Sequence, residues 1–421
     1  MRRPTPPQAA PAPLGRDVRL LFVTRFVRLF AYGALSVVLV FYLAGAGLST
    51  PAIGAVLTLT LVGDTIVSLV LTTRADRIGR RRMLVAGALL MAAAGLTFAS
   101  THELWLLILA GTIGVISPSG HEVGPFLSIE QAALSQLASG RKRTDVLAWY
   151  TLTGAVATAA GALAGGALAR AFSHSSPLTG YRAVVILYAA LGAALAVLFT
   201  RLSRQAEAPP RVGALPARFT LGVASGLDRS RGVVLKLSAL FALDAFGGGF
   251  IVQSFVAYWF YLRFGLDAAT LGAIFFWANL LAGVSALLAA RIARRIGLIR
   301  TMVATHLPSN VLLFLVPLMP TAPLAIGVLL ARFSISQMDV PARQSYVMAV
   351  VHPDERSAAG GVAGIARTMG AAISPVFVGM MFAQPSLIHV PFFIAGAVKI
   401  AYDVLLYRAF VTVLPPEEQA G

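Results

Sequence analysis

The chain has 421 residues, 57% of them hydrophobic and only 12% charged, with a mean hydropathy of +0.80. A soluble surface needs roughly a quarter of its residues charged, so ordinary soluble classes are excluded and lipid is the solvent for most of this chain. The formal charge of +17 raises nucleic acid as a partner, and the absence of cysteine excludes disulfides, thiol chemistry and thiolate metal sites.

In chain order, the proline-rich opening RRPTPPQAAPAP reads as a disordered cytoplasmic tail over 1-19. The apolar run behind it is too long for a signal peptide, despite the AGAG at 44-47, and reads as a retained first span. A bilayer core takes about 20 apolar residues per helix. Twelve such stretches follow, near 20-43, 51-73, 83-100, 104-125, 145-169, 182-200, 233-262, 268-290, 301-319, 323-342, 358-383 and 388-411. The polar stretch 201-232 reads as a cytoplasmic linker between six-helix halves at 20-200 and 233-411, with a short cytoplasmic tail at 412-421.

Of the 34 Lys and Arg, 26 fall in the N-terminal tail and the loops on its side. Only Arg170, Arg182 and Arg263 fall in the opposite loops. That asymmetry puts both termini in the cytoplasm and makes the basicity topological, which leaves no role for nucleic acid.

The halves echo each other. A shift of 218 lays RADRIGRRRML over IARRIGLIRTM at 292-302 and brings Gly79 onto Gly297. A shift of 217 lays SPSGHEV (117-123) over SISQMDV (334-340) and brings Glu122 onto Asp339. Nearly equal shifts at two places predict a duplicated six-helix unit, a plan common among secondary transporters.

The stretch TTRADRIGRRRML (72-84) concentrates five arginines in the turn after span 2. Gly79 suits a tight reversal between helices, and Arg80 lies one helical turn after Asp76. In this loop Ala75, Asp76, Arg77, Gly79, Arg80 and Arg81 match the Gly-x-Leu-Ala-Asp-Arg-x-Gly-Arg-Arg pattern of the major facilitator superfamily, with Thr72 and Arg74 replacing its Gly and Leu. The chain resembles that family over essentially its whole length. The resemblance implies an all-α integral membrane fold of twelve transmembrane helices in two pseudo-symmetric six-helix bundles. It also implies a cytoplasmic latch, with Asp76 facing the start of span 11 near Ala358 to Gly360 and Arg80 reaching Glu122 at the cytoplasmic end of span 4. The same charges also serve as plain positive-inside anchors, above all Arg74, Arg81 and Arg82. In the second half the pattern is degraded, with Arg294 in place of the Asp and Leu298 in place of the first Arg; Asp339 there pairs with Arg294 or Arg343. Span 5 carries Gly161, Gly165 and Gly166, similar to the glycine-rich segment of proton-coupled antiporters except that Ala162 stands at its proline. Close helix packing explains those glycines equally well.

Ionisable residues inside spans are functional candidates by default. Arg28 on span 1 and Asp64 on span 2 reach the same depth and are expected to pair, while Arg25 snorkels to headgroups or joins the cavity. Asp244 on span 7 precedes three glycines (247-249) that permit bending, and its expected partners are Arg332 and Arg367. Asp64 and Asp244 are the candidate proton carriers. Arg28, Arg332, Arg367 and Asn279 are the candidate pairing or substrate residues. An arginine surplus in the cavity favours an anionic group on the substrate. Lys399 and Asp403 are spaced to neutralise each other on span 12, which the resemblance places outside the cavity. Tyr258 and Trp259 read as interface anchors and His121 as part of the latch.

No catalytic cluster emerges: HEVGP (121-125) lacks the second His of a zinc motif, ISPSG (116-120) is not GxSxG, and no Gly-rich GK[ST] loop occurs. The chain therefore reads as a non-enzyme, with no cofactor or metal. Its expected function is alternating-access transport of a small organic solute, with proton-coupled efflux as the direction. The alternatives are uptake symport or facilitated passage of an organic anion, or a receptor or scaffold role. The expected partners are the solute, protons and membrane lipid. The expected setting is a cytoplasmic (inner) membrane, with the protein a monomer.

Overall fold

With no water in a bilayer core, each span must satisfy its backbone groups internally, so spans are helices. The computed structural model describes residues 15-121, 124-138, 143-174, 176-208 and 227-413, and every regular element among them is helical. The first half comprises α1 (Arg16–Gly45), α2 (Thr50–Ile78), α3 (Arg80–Ser100), α4 (Leu104–Ile113), α5 (Phe126–Leu137), α6 (Arg143–Ala171) and α7 (Pro177–Thr200). The second comprises α8 (Arg231–Gly249), α9 (Gln253–Phe264), α10 (Ala268–Ile296), α11 (Leu298–Leu315), α12 (Ala322–Phe333), α13 (Asp339–Val350), α14 (Arg356–Phe382) and α15 (Val390–Phe410). Among the described residues ten helical segments are long and apolar enough to cross a membrane alone, α8 and α9 counting as one. The two that fall short, α4 and α12, begin spans 4 and 10, so the molecule has twelve spans in two six-helix bundles. The start of α1 meets the chain after α7, where Ser203 Oγ donates to Asp17 Oδ2 at 2.5 Å. That end, where Tyr346 also donates to the Val413 carbonyl at 2.9 Å, is termed the tail end and the opposite one the far end.

Three spans expected to be continuous are interrupted. Span 4 breaks between Ile113 and Phe126, span 7 between Gly249 and Gln253, and span 10 between Phe333 and Asp339. In span 4, Val115, Gly120 and Gly124 hold φ of +56°, +72° and +80°, and Pro118 and Pro125 withhold backbone donors. Span 10 has neither Gly nor Pro at its break; there Ser334 Oγ donates back to the Ala331 carbonyl at 2.7 Å, a local competitor of the helical ladder. The repeat laid 117-123 over 334-340, so the two echoing segments are the two equivalent breaks.

Three helices beginning at the far end cap themselves: Ser49 accepts from Ala52 N at 3.4 Å, Ser176 from Thr179 N at 3.3 Å and Asp267 from Thr270 N at 2.9 Å. At the tail end, two helix starts borrow carboxylates from distant chain. Glu207 accepts from the N–H groups of Arg80 (2.6 Å) and Arg81 (3.3 Å) at the start of α3. Glu355 accepts from those of Asp228 (2.9 Å), Arg229 (2.9 Å) and Ser230 (2.8 Å), just before α8. Gly79, at φ +115°, makes the reversal into α3, and Gly297, at φ +85°, makes the equivalent one into α11.

The halves meet along α2 with α14 and α6 with α10. At the far end these seams close backbone to backbone. A Cβ on Gly379 would stand 2.3 Å from the Thr50 carbonyl oxygen, and one on Gly166 2.3 Å from that of Ala268. Phe41 plugs the same end, its ring 5.6, 5.4 and 5.3 Å from those of Tyr181, Tyr258 and Tyr261. Toward the tail end of α14, a Cβ on Gly361 or Gly364 would meet open space. The two bundles are therefore together at the far end and apart at the tail end.

Candidate functional site

Between the halves lies a cavity of about 620 Å³. Span 2 contributes Asp64, the break in span 4 contributes Ser119 and His121, and most of the remaining wall comes from the second half. His121, expected in the latch, thus faces the cavity instead.

Asp244 is the hub of the charged wall. Its Oδ1 accepts from Lys399 Nζ at 2.5 Å and its Oδ2 from Arg343 Nη1 at 3.2 Å. The partners expected from the sequence, Arg332 and Arg367, are displaced. Glycines 247 and 248 give the physical reason, because they leave a bare strip on α8. A Cβ at Gly247 would stand 3.0 Å from Lys399 Cγ, so the lysine stem crosses where a side chain would block it. Lys399 therefore does not neutralise Asp403, and span 12 does reach the cavity. Arg343, one residue beyond the span expected over 323-342, is 4% exposed within α13 and also pairs with Asp339 at 3.3 Å, one of the two pairings expected for Asp339.

A histidine that the sequence reading passed over extends this network. His306 Nε2 stands 3.6 Å from Asp244 Oδ1, and its Nδ1 lies 2.8 Å from Asp403 Oδ1. Asn310 Nδ2 donates to Asp403 Oδ2 at 2.9 Å. The signal was present, since a His and an Asn four residues apart inside an apolar span are polar groups needing a partner. Arg332 and Arg367 both line the cavity. Neither has a hydrogen bond or ion pair among the described residues, and Arg332 Nε is buried with no partner.

The first half carries a separate pair. The sequence set Arg28 against Asp64; the structure sets it against Glu130, with Nη1 to Oε1 at 3.0 Å and Nη2 to Oε2 at 2.6 Å. Thr24 donates to the same carboxylate at 2.9 Å, and Tyr150 donates to it as well. Arg28 and Glu130 are 0% exposed. Glu130 was missed because the expected span 4 ended at 125, just before α5 begins. Arg25 lies over the Tyr150 ring at 4.2 Å and is 7% exposed, buried rather than snorkelling.

A polar bridge joins the halves on the far side of the cavity. Gln253 Nε2 donates to Ser36 Oγ at 2.8 Å, and Asn279 Nδ2 donates to Gln253 Oε1 at 3.1 Å. Ser254 N donates to the Pro118 carbonyl at 3.2 Å, so the break in span 7 bonds the break in span 4. Trp259 is 0% exposed and donates to His389 Nδ1 at 3.1 Å, so it is a core residue and not an interface anchor.

Of the latch candidates, Glu122 and the side chain of Asp76 lie outside the described residues. Arg77 is exposed. Arg80 Nη1 donates to Gln136 Oε1 at 3.0 Å and to the Ala206 carbonyl at 3.3 Å. Arg81 Nη1 donates to the Leu202 carbonyl at 3.3 Å. Both arginines thus tie α3 to the chain following α7. In span 5, a Cβ on Gly161 or Gly165 would strike the Phe30 or Ala34 carbonyl of α1, and one on Gly166 that of Ala268 on α10. All three lie at close helix crossings.

A sequence profile described as the Major Facilitator Superfamily matches residues 21–375. The uncharacterized membrane protein YJR124C of Saccharomyces cerevisiae is 31% identical over 425 residues, covering 94% of this chain and 95% of that one. Among solved structures, a point mutant of the nucleoside transporter NupG superposes with a TM-score of 0.76 at 14% identity, covering 94% of this chain and all of that one. A D-xylose–proton symporter gives 0.70 at 16% identity, with 94% and 98% covered. A bacterial homologue of the lysosomal transporter Spinster, inward-facing and unoccupied, gives 0.68 at 15% identity, with 94% and 95% covered. The family profile, the twelve spans and the cavity between paired bundles agree: this chain belongs to the Major Facilitator Superfamily.

Proposed function

We propose that the chain is a proton-coupled exporter of a small organic solute, working by alternating access from the cavity between its halves. The observation that carries this reading is a cavity closed on its far side whose wall includes Asp244 and His306, with Asp403 bonded to His306 behind that wall. The concentration of basic residues in the tail-end loops supports a cytoplasmic tail end. With that orientation the cavity opens inward. Protonating Asp244 releases Lys399 and Arg343 from their shared acceptor, and His306 offers the proton a route on to Asp403. Asp64, on the facing wall, is the second candidate carrier. Export as the direction, an inner-membrane setting and a gating role for Asp76, Arg77, Gly79, Arg80, Arg81 and Glu122 belong to the same proposal, with the span 5 glycines supporting an antiporter.

The test is transport in proteoliposomes with an imposed pH gradient and an interior pH dye. Solute-dependent proton flux is expected in the native protein and lost in Asp244→Asn, whereas solute exchange without a gradient persists. Proton flux unchanged in Asp244→Asn, His306→Gln and Asp64→Asn would remove the coupling and leave a facilitator.

A further inference from the structure

We infer that the transported solute is an organic anion whose carboxylate or phosphate group is held between Arg332 and Arg367. The inference rests on the cavity being the solute site. The cavity wall carries four basic side chains, Arg332, Arg343, Arg367 and Lys399, against three acidic ones, Asp64, Asp244 and Asp339. The acids of the second half are already engaged. Asp244 gives one oxygen to Lys399 and the other to Arg343, and Asp339 is paired with Arg343. Among the described residues, the two remaining guanidinium groups, Arg332 and Arg367, make no hydrogen bond or ion pair to a carboxylate.

An arginine inside a span is costly unless it is paired or faces water. Arg332 has a buried Nε with no hydrogen-bond partner, on the last turn of α12 where span 10 breaks. Arg367, in the middle of α14, stands exposed to the open cavity. Both groups are planar forks suited to a carboxylate or a phosphate, and an anion bound by both would remove the uncompensated charge. Phe275, Phe333, Leu313 and Leu329 supply apolar wall for the body of the molecule. The volume falls in the range of roughly 300–1,000 Å³ typical of small-ligand sites.

The experiment uses the full-length protein in detergent at constant ionic strength. Its melting temperature is followed against benzoate, succinate, phenyl phosphate and glycerol 3-phosphate, with benzyl alcohol, butanediol and glycerol as neutral counterparts. At least one anion is expected to stabilise the protein saturably where its neutral counterpart does not. The apparent affinity should fall by about tenfold or more in Arg332→Gln and in Arg367→Gln, since each removes charge-assisted hydrogen bonds. Arg332→Lys and Arg367→Lys, which keep the charge, should retain part of the affinity and control for misfolding. If no anion stabilises the protein, or if the response is the same in both glutamine variants, the inference is overturned. Exchange of the same compounds across proteoliposomes separates this inference from the transport reading. A neutral compound exchanged equally by native protein and both glutamine variants keeps transport and overturns the anion. Anion stabilisation without exchange of any probe keeps the site and overturns transport.

Discussion

Each half of the molecule buries an arginine against a carboxylate, yet the surroundings of the two pairs differ. In the first half Glu130 accepts from Arg28, Thr24 and Tyr150 in a sealed, fully buried site away from the cavity. In the second half Asp244, Arg343 and Lys399 line the cavity, and His306 leads from them toward Asp403. A buried ion pair contributes stability only when every lone pair is met and no water intrudes, and the first-half pair satisfies both conditions. The second-half network faces the open cavity instead. Two six-helix bundles of one plan thus hold a sealed ion pair in one half and a cavity-lining charge set in the other.

The sharpest way to break this comparison is to remove one acid from each set. Glu130→Gln takes away the carboxylate that Arg28 grips with both of its terminal nitrogens in a fully buried site, and should cost about 3–5 kcal/mol. Asp244→Asn should cost clearly less, because cavity water solvates the released cations. Melting of the two variants in the same detergent checks this, and equal losses would erase the distinction. The next effect concerns the seams. Gly379→Val places a branched side chain against the Thr50 carbonyl, with strain of about 1–3 kcal/mol expected. Gly361→Ala, which meets open space, should change nothing. Since the chain has no cysteine, single-cysteine labelling at the far end reads both variants directly, and equal labelling would mean that the seam is not the closed side of the molecule.

A smaller effect is expected at Gln253→Ala, which removes the bonds to Ser36 and Asn279. Each bond is worth about 0.5–1.5 kcal/mol, and the same far-end labelling should rise, though less than in Gly379→Val. The smallest expected change is at Glu355. Three backbone N–H groups hold its carboxylate down from the ordinary 4.5 to about 2. Its folded pKa is depressed, so its contribution is complete above the ordinary value and is lost as pH falls through about 2. Between pH 5 and 8 the clamp before α8 should not titrate. Glu355→Gln should lower the melting temperature slightly and by the same amount at both ends of that range; a difference that grows toward pH 5 would contradict the clamp.

The architecture was largely readable from the sequence because lipid imposes length and apolarity on every span, as the runs at 20-43 and 388-411 show. The site was less readable. Depth along a helix placed Arg28 beside Asp64, but depth says nothing about azimuth, and Glu130 lay in a helix that hydropathy did not extend far enough to include. The resemblance set Lys399 outside the cavity with span 12, but its four-carbon stem crosses the bare strip at Gly247 and Gly248 and carries its charge to Asp244. The echo between 117-123 and 334-340 was visible as a repeat, while its meaning as a pair of broken helices required the backbone.

The far-end seams have one further property. Where Gly54 faces Gly379 and Gly166 faces Gly272, main chain lies on main chain with no side chain between. Such a surface has no rotamers to freeze on closing and none to rearrange on opening. Parting and rejoining such a surface takes no search for a side-chain fit, as with a reusable fastener.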